Sequence, residues 1–330
     1  MKSINILFLA PHWNVSLVKA FTEARDRCGL KGKLVGADSD LYSSTLQILR
    51  PAHVIPRFDE KECLKKIMEI CVHDSIHAVI PLSNKAVEFL DENRRPSRQK
   101  DIVLFLQERE VIKICHDKRR LAEFLTAAGI SVPATAQAGS LKHKFPLFTK
   151  RRKGEGGGNC FVVENQRDME FYSRRYPENM FQELIRGKEY SIDWFSDQKG
   201  NPILIVPRER LVVRNGEVWV SRIHMEPRLI AAARAVGEHL GLRGPCNMQG
   251  ILDDSGRFAF TDINLRFGSG AVHTAAARGD IPMMIYKELM GKPPESVLCP
   301  IREGSVMTRF HDCYFLSPQE KIKPSDDEQK

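Results

Sequence analysis

The chain has 330 residues, 42% hydrophobic and 28% charged, which excludes a disordered or fibrous protein and is long enough for two or three domains with cores of their own. A formal net charge of +8 and a pI near 9.0 favour anionic partners, whether nucleotide, acidic metabolite or nucleic acid, without choosing between them. The eight cysteines show no CxxC and no pairing rhythm, which reads as a reduced, cytosolic chain using cysteine as a small hydrophobe, and no apolar run approaches a membrane span.

The apolar stretch 4–10 runs straight into Pro11-His12-Trp13 with no small-residue cleavage site, and reads as a buried first strand. Helical spacing follows over 17–28, between Ser16 as N-cap and Gly29 as stop, and then a strand at 34–36. Asp59 is expected to cap a helix carrying Cys63, Ile67 and Cys71, with further strands at 78–80 and 102–105. This alternation over residues 1–115 is the pattern of a doubly wound parallel sheet. Its first strand-to-helix turn, residues 10–14, has no glycine, so no dinucleotide site is assigned there. Residues 91–100 read as a solvated loop. His73 and His77 have the i, i+4 spacing of a metal pair but no third ligand, and read as surface histidines.

Asp117 should cap a helix over 118–128 that stops at Gly129. From residue 145 the pattern changes to hairpins, with strands at 145–150, 161–164, 180–184, 190–195, 203–210 and 218–223. Helices are expected at 167–175, 227–240 and 281–289, and the tail from about Pro318 reads as disordered. The fold class is thus α/β followed by α+β.

The richest stretch runs from Pro245 to Gly270. Two short strands flank Asp253-Asp254-Ser255-Gly256, a strong turn signal. After the turn Asp262, Asn264 and Arg266 alternate and should share one face, which Gln249 reaches if the strands pair in the right register. Carboxylate and amide oxygens beside an arginine suit a magnesium ion carrying phosphate. A solvated strand face is the plainer reading of this stretch alone. Upstream, Lys150 ends a strand before Arg151-Arg152-Lys153-Gly154-Glu155-Gly156-Gly157-Gly158, a cationic glycine-rich tip whose amides could close over phosphates. Lys142, Lys144 and Lys150–Lys153, interleaved with Phe145 and Phe148, also admit a nucleic-acid reading. The stretch from Gln182 to Glu189 reads as a strand, a turn at Gly187, and a second strand. An apolar backbone segment followed by a carboxylate can bind adenine and ribose.

In this order, the Asp117-Lys118 helix start, Lys150 with its glycine tip, Gln182-Glu183-Leu184-Ile185 with Glu189, Gln249, and Asp262-Ile263-Asn264-Leu265-Arg266 resemble the ATP-grasp superfamily. The resemblance is nearest to the carbamoyl-phosphate-synthase-like carboxylate–amine ligases, and its motifs cover about residues 115–300. It implies a pre-ATP-grasp domain at 1–115 and an ATP-grasp domain at 116–300, two α+β subdomains clasping ATP with the flap subdomain at about 130–187. A C-terminal extension would occupy 301–330. Lys118, Lys150, Gly156 and Gly157 would contact phosphates, Gln182, Glu183, Leu184 and Ile185 the adenine, and Glu189 the ribose. Gln249, Asp262 and Asn264 would hold magnesium, two ions with manganese as a substitute, and Arg266 with Lys150 would serve the transferring phosphoryl group. The sequence departs from the family pattern twice: Asp262 stands where glutamate is usual, and Arg151 follows Lys150 where proline is usual.

The implied chemistry is ATP-dependent activation of a carboxylate as an acyl phosphate, then attack by an amine, with small molecules as substrates and neither membrane nor nucleic acid as partner. Arg208 or Arg210, alternating onto one strand face, are candidates to clamp the carboxylate, and His224 reads as structural. The rivals are a bicarbonate- or carbamate-phosphorylating enzyme and a non-catalytic nucleotide- or nucleic-acid-binding module. A homodimer is compatible with such a fold.

Overall fold

The computed structural model describes residues 3–94, 102–136, 145–154, 158–292 and 300–316. Lys142, Lys144, Gly156, Gly157 and the polar tail lie outside these described residues.

The first sheet is parallel: β1 (Ile6–Leu9), β2 (Leu34–Asp38), β3 (Ala52–Val54), β4 (Ala78–Pro81) and β5 (Val103–Leu104), in the order β3-β2-β1-β4-β5. Helices cover both faces, so β1 and β4 are buried along their whole length and read as unbroken apolar runs. These helices are α1 (Val15–Arg27), α2 (Ser44–Ile48), α3 (Glu62–His73) and α4 (Asn84–Glu92). The doubly wound expectation holds, with local corrections. Ser16 lies inside the first turn of α1, and Asn14, at the cap position, turns its amide back onto the Pro11 carbonyl at 2.9 Å. The third helix starts at Glu62, not after Asp59, because Arg57 and Glu60 first close a turn on each other. Asp91 is buried at the end of α4 and held by Arg94 and Arg109, so the segment starting there is not a solvated loop at its outset. His77 accepts the Asn5 N–H through Nδ1, while His73 is exposed beside Asp74.

Two helices, α5 (Arg109–Cys115) and α6 (Lys118–Ala127), lead into the second half. Asp117 caps α6 by accepting from the N–H groups of Arg119 and Arg120, and Gly129 ends it at φ +71°. A small antiparallel sheet follows, β6 (Thr135–Ala136), β7 (Leu147–Arg151), β8 (Phe161–Val163) and β9 (Asn179–Glu183), in the order β6-β9-β7-β8. With α7 (Gln166–Arg175) it encloses a core of four buried side chains, Leu147, Val163, Met169 and Phe181.

The largest sheet is antiparallel, with β10 (Gly187–Ser196), β11 (Pro202–Arg214), β12 (Glu217–Ile223), β13 (Gly244–Asp253), β14 (Phe258–Asn264) and β15 (Val306–Thr308). Its order is β14-β13-β10-β11-β12-β15. The helix α8 (Pro227–Leu240) presents Leu229, Ala233, Val236 and Leu240 to the core at helical spacing. Two further helices, α9 (Ala271–Ala276) and α10 (Ile281–Leu289), close the fold. The cores of the parallel and the large antiparallel sheets are continuous: Val79 and Ala86 belong to the same buried cluster as Trp194, Leu240 and Met248. Among the described residues no helix is long and apolar enough to cross a membrane.

Candidate active site

The strands β13 and β14 pair so that Gln249 lies opposite Asp262 and Asn247 opposite Asn264. Opposed residues of an antiparallel pair share a face, so these oxygen donors form one patch. The register is set by a bulge after Gln249, and a Cβ at Gly250 would lie 2.7 Å from the Ala259 carbonyl oxygen. The patch continues across β10, where Ser191 opposes Gln249 and Asp193 opposes Asn247.

Two lysines from different elements meet this patch. Lys118, at the first position of α6, places Nζ 3.8 Å from Asp262 Oδ2 and donates to the Gly154 carbonyl at 2.9 Å. Lys150, on β7, is buried and donates to the Thr261 carbonyl at 2.8 Å, one residue before Asp262. Burial pushes the Lys150 ammonium down to about 8; Asp262 opposes that shift and Lys118 adds to it. Asp117 fixes the geometry behind them. Its carboxylate caps α6 and receives the Arg152 guanidinium fork, Nε at 2.7 Å and Nη2 at 2.6 Å. Burial alone would raise the Asp117 carboxyl, but the Arg152 fork and the helix N–H groups hold it below the usual range. The cationic tip is therefore partly internal bracing: Arg152 is committed to Asp117, and Arg151 lies 3.6 Å from Glu178.

Both sheets border a cleft of about 620 Å³, lined by Lys118, Lys150, Gln182, Glu189, Asp262 and Arg266 among others. Leu184 and Ile185 line it at the crossing from β9 to β10. Glu183 lines it too; its side chain receives Arg257 and the Ala134 N–H, and its own N–H goes to the Ala134 carbonyl. A second cavity, of about 580 Å³, lies behind the small sheet and shares none of these residues.

Arg208 and Arg210 of β11 both line the cleft and are held by carboxylates of β10. Arg208 is 1% exposed, and its Nε and Nη2 are committed to Asp193 at 2.8 and 3.0 Å. Its Nη1 has no hydrogen-bond partner among the described residues, and Arg208 lines the cleft. Asp193 also receives Asn247 Nδ2 at 2.8 Å and the Thr274 hydroxyl, so the buried charge is fully solvated by protein. Arg210 links neighbouring strands of the large sheet, with Nη1 3.3 Å from Glu189 Oε2 and 3.5 Å from Gln249 Oε1. His224 receives or donates a hydrogen bond with the Tyr190 hydroxyl at 2.9 Å, a structural contact as expected.

Arg266 ties the patch to the parallel sheet. Its Nε donates to Asn84 Oδ1 at 3.1 Å in the first turn of α4, and the next residue, Phe267, is buried edge-on against Phe21 of α1, ring centroids 5.8 Å apart. His12, Trp13, Leu82 and Ser83 complete the lining from that side. Sequence reasoning passed over these residues, and over Asp193 and Asn247. The alternation Glu189, Ser191, Asp193 in an otherwise apolar strand was the readable signal for Asp193; the turn residues 11–13 offered none.

Among the described residues no three His, Cys, Asp or Glu side chains cluster closely enough to hold a metal by themselves. The Gln249, Asp262 and Asn264 set has one carboxylate and two amides, all oxygen donors. That suits magnesium, which takes one or two carboxylates and completes its shell with phosphate and water.

Among curated proteins, none matches the chain by sequence. Solved structures share the fold. The L-amino acid ligase from Bacillus licheniformis is 19% identical with a TM-score of 0.68, covering 90% of this chain and 76% of that one. N5-carboxyaminoimidazole ribonucleotide synthetase from Thermotoga maritima is 19% identical with a TM-score of 0.68, covering 93% and 80%. The biotin carboxylase domain of Hydrogenobacter thermophilus 2-oxoglutarate carboxylase, solved with ADP, magnesium and bicarbonate, is 19% identical with a TM-score of 0.67, covering 87% and 70%. Family profiles match the ATP-grasp domain over residues 115–270 and the PylC-like N-terminal domain over residues 6–105. The chain therefore carries an ATP-grasp domain over residues 115–270 behind a PylC-like N-terminal domain over residues 6–105.

Proposed function

We propose that the chain is a cytosolic, magnesium-dependent ligase that uses ATP to activate a small carboxylate as an acyl phosphate and transfers the acyl group to an amine, with amino-acid-like substrates. The reading rests above all on the convergence of Lys118 and Lys150 on the Asp262 strand, with Gln249 opposite Asp262. Two ammonium groups, an oxygen patch and an arginine in one cleft are what a magnesium-bound triphosphate requires for charge neutralisation.

In this reading Gln182, Glu183, Leu184 and Ile185 seat the adenine and Glu189 the ribose, with Arg210 holding Glu189 in place. Lys118 and Lys150 take the phosphates, and the tip that includes Gly156 and Gly157 closes over them. Gln249, Asp262 and Asn264 would hold magnesium, as two ions, with manganese able to substitute. When bound there, magnesium would supply charge neutralisation to the phosphates. Arg266 stabilises charge on the transferring phosphoryl group, and Asn84 keeps its guanidinium on the side of the parallel sheet. Carboxylate oxygen is a poor leaving group, and phosphorylation makes it a good one. Closure of the small sheet keeps water from the acyl phosphate.

The test is ADP release with magnesium and ATP against a matrix of carboxylates, amino acids, bicarbonate and amines. Release that requires one carboxylate and rises with one amine supports the ligase. Release with bicarbonate alone moves the assignment to bicarbonate phosphorylation. Binding of ATP with no release in any cell of the matrix refutes the catalytic reading.

A further inference from the structure

The order β3-β2-β1-β4-β5 reverses direction between β1 and β4, and open parallel sheets bind ligands in the crevice outside the carboxyl ends of the strands at such a point. Here the residues following β1 and β4, His12 and Trp13 on one side and Leu82 and Ser83 on the other, all line the active-site cleft. Arg266 reaches the same crevice through Asn84, the residue after Ser83.

His12 is held there with unusual thoroughness. Its backbone sits at φ +44°, a strained conformation for a residue with a side chain. Three buried polar groups maintain it. Asp38 Oδ2 accepts its N–H at 2.9 Å, while the Ser43 hydroxyl at 2.8 Å and the Thr45 N–H at 3.1 Å donate to its carbonyl. The same Asp38 oxygen lies 3.2 Å from His12 Nδ1. Burial acts to raise the Asp38 carboxyl, but the contacts from His12 and the Asp40 N–H hold it below its ordinary value, so the ring faces a carboxylate. A carboxylate at Nδ1 favours the tautomer with the proton on that nitrogen and makes Nε2 the basic one. The ring itself is 42% exposed at the cleft.

The proposed reaction has a step for such a group. An alkyl ammonium with a pKa of about 10 leaves only roughly one molecule in a thousand as free amine at pH 7. Building on the ligase reading, we infer that His12 is the proton acceptor for the amine substrate, bound in the β1–β4 crevice, and that Asp38 is its positioning residue. Nε2 takes one proton from the ammonium. The freed nitrogen lone pair attacks the acyl carbon, the C–N bond forms, and the C–O bond to phosphate breaks. Phosphate leaves with that electron pair and takes up the second nitrogen proton, and His12 returns its proton to solvent.

Hydroxylamine separates this step from the earlier chemistry, because it is already a free base at neutral pH and needs no proton acceptor. L-amino acids serve as carboxylate donors, and either hydroxylamine or a second L-amino acid as nucleophile. The readout is the ratio of amide to hydroxamate formed by the wild type and by His12→Asn, since asparagine tolerates positive φ. The amide-to-hydroxamate ratio should fall at least about tenfold in the variant, the low end for lost general-base catalysis. A smaller change in the ratio overturns the role of His12 while leaving the ligase intact, as does a parallel loss of both products. Absence of hydroxamate in the wild type removes the ligase reading and this inference with it.

Discussion

Replacing Lys150 with methionine should make the nucleotide-free protein more stable while removing its response to ATP. The ammonium is buried, and its titration near 8 rather than 10.5 means that holding the charge in the fold costs roughly 3 kcal/mol at neutral pH. Methionine removes that cost and fits a similar volume, but it leaves the Thr261 carbonyl without its donor, an offset of about 1–2 kcal/mol. The net gain is about 1–2 kcal/mol, a rise of a few degrees in melting temperature. The effect has a definite pH dependence. Between about 8 and 10.5 the unfolded lysine binds more protons than the folded one, so wild-type stability rises with pH through that window. The advantage of the variant is therefore full below pH 8 and fades as the pH approaches 10.5. Thermal unfolding at pH 7 and pH 9.5, each with and without magnesium and ATP, tests both parts. Ligand binding should raise the wild-type melting temperature and leave that of the variant unmoved. A variant that melts lower than wild type at pH 7, or that keeps the full ATP-dependent rise, refutes the assignment of Lys150 as a strained phosphate ligand.

Asp193→Ala should cost about 3–5 kcal/mol in denaturant unfolding, because Arg208 keeps a buried charge without its partner. Adding Arg208→Met to that variant should recover much of the loss, and no recovery would count against a buried pair as the cause. Asp262→Ala should lower kcat at least about a hundredfold under saturating magnesium, the loss of several kcal/mol of metal-assisted stabilisation. Asp262→Glu should retain magnesium dependence, and an unaltered magnesium titration in Asp262→Ala would remove the metal patch. Gly237→Ala lies mid-helix in α8, where alanine ordinarily gains about 1 kcal/mol. Here a Cβ would stand 2.2 Å from the fully buried Trp194 ring, and overpacking of about 1–3 kcal/mol should lower the melting temperature instead.

The long elements were legible because burial imposes a period. The helix at 227–240 and the hairpin around 253–256 occur as read, since apolar stripes and turn residues are local signals. The shared face of Gln249, Asp262 and Asn264 was readable from alternation alone, although its register depends on a bulge that only tertiary pairing specifies. The short pieces β3, β6, β15, α2 and α9 have too few residues to carry a period. Arg208 shows the deeper limit. Its alternation with Arg210 correctly gave a shared face, but the carboxylate that occupies it is Asp193, on the neighbouring strand. No spacing rule distinguishes an arginine awaiting a substrate from one already neutralised. The residues at 11–13 were opaque for a related reason: their position comes from strand order, which is a property of the whole sheet.

The small sheet has a core of four side chains, whereas the other two sheets share extensive clusters that cross from one to the other. Its local opening free energy should therefore lie well below that of the remainder, making it the first part to lose amide protection. Under the proposed function, the movement that admits nucleotide would run along the same coordinate as the earliest stage of unfolding. If ATP fills the proposed site, a cell that depletes its ATP would leave this protein measurably more open to proteases, coupling its lifetime to the supply of the nucleotide.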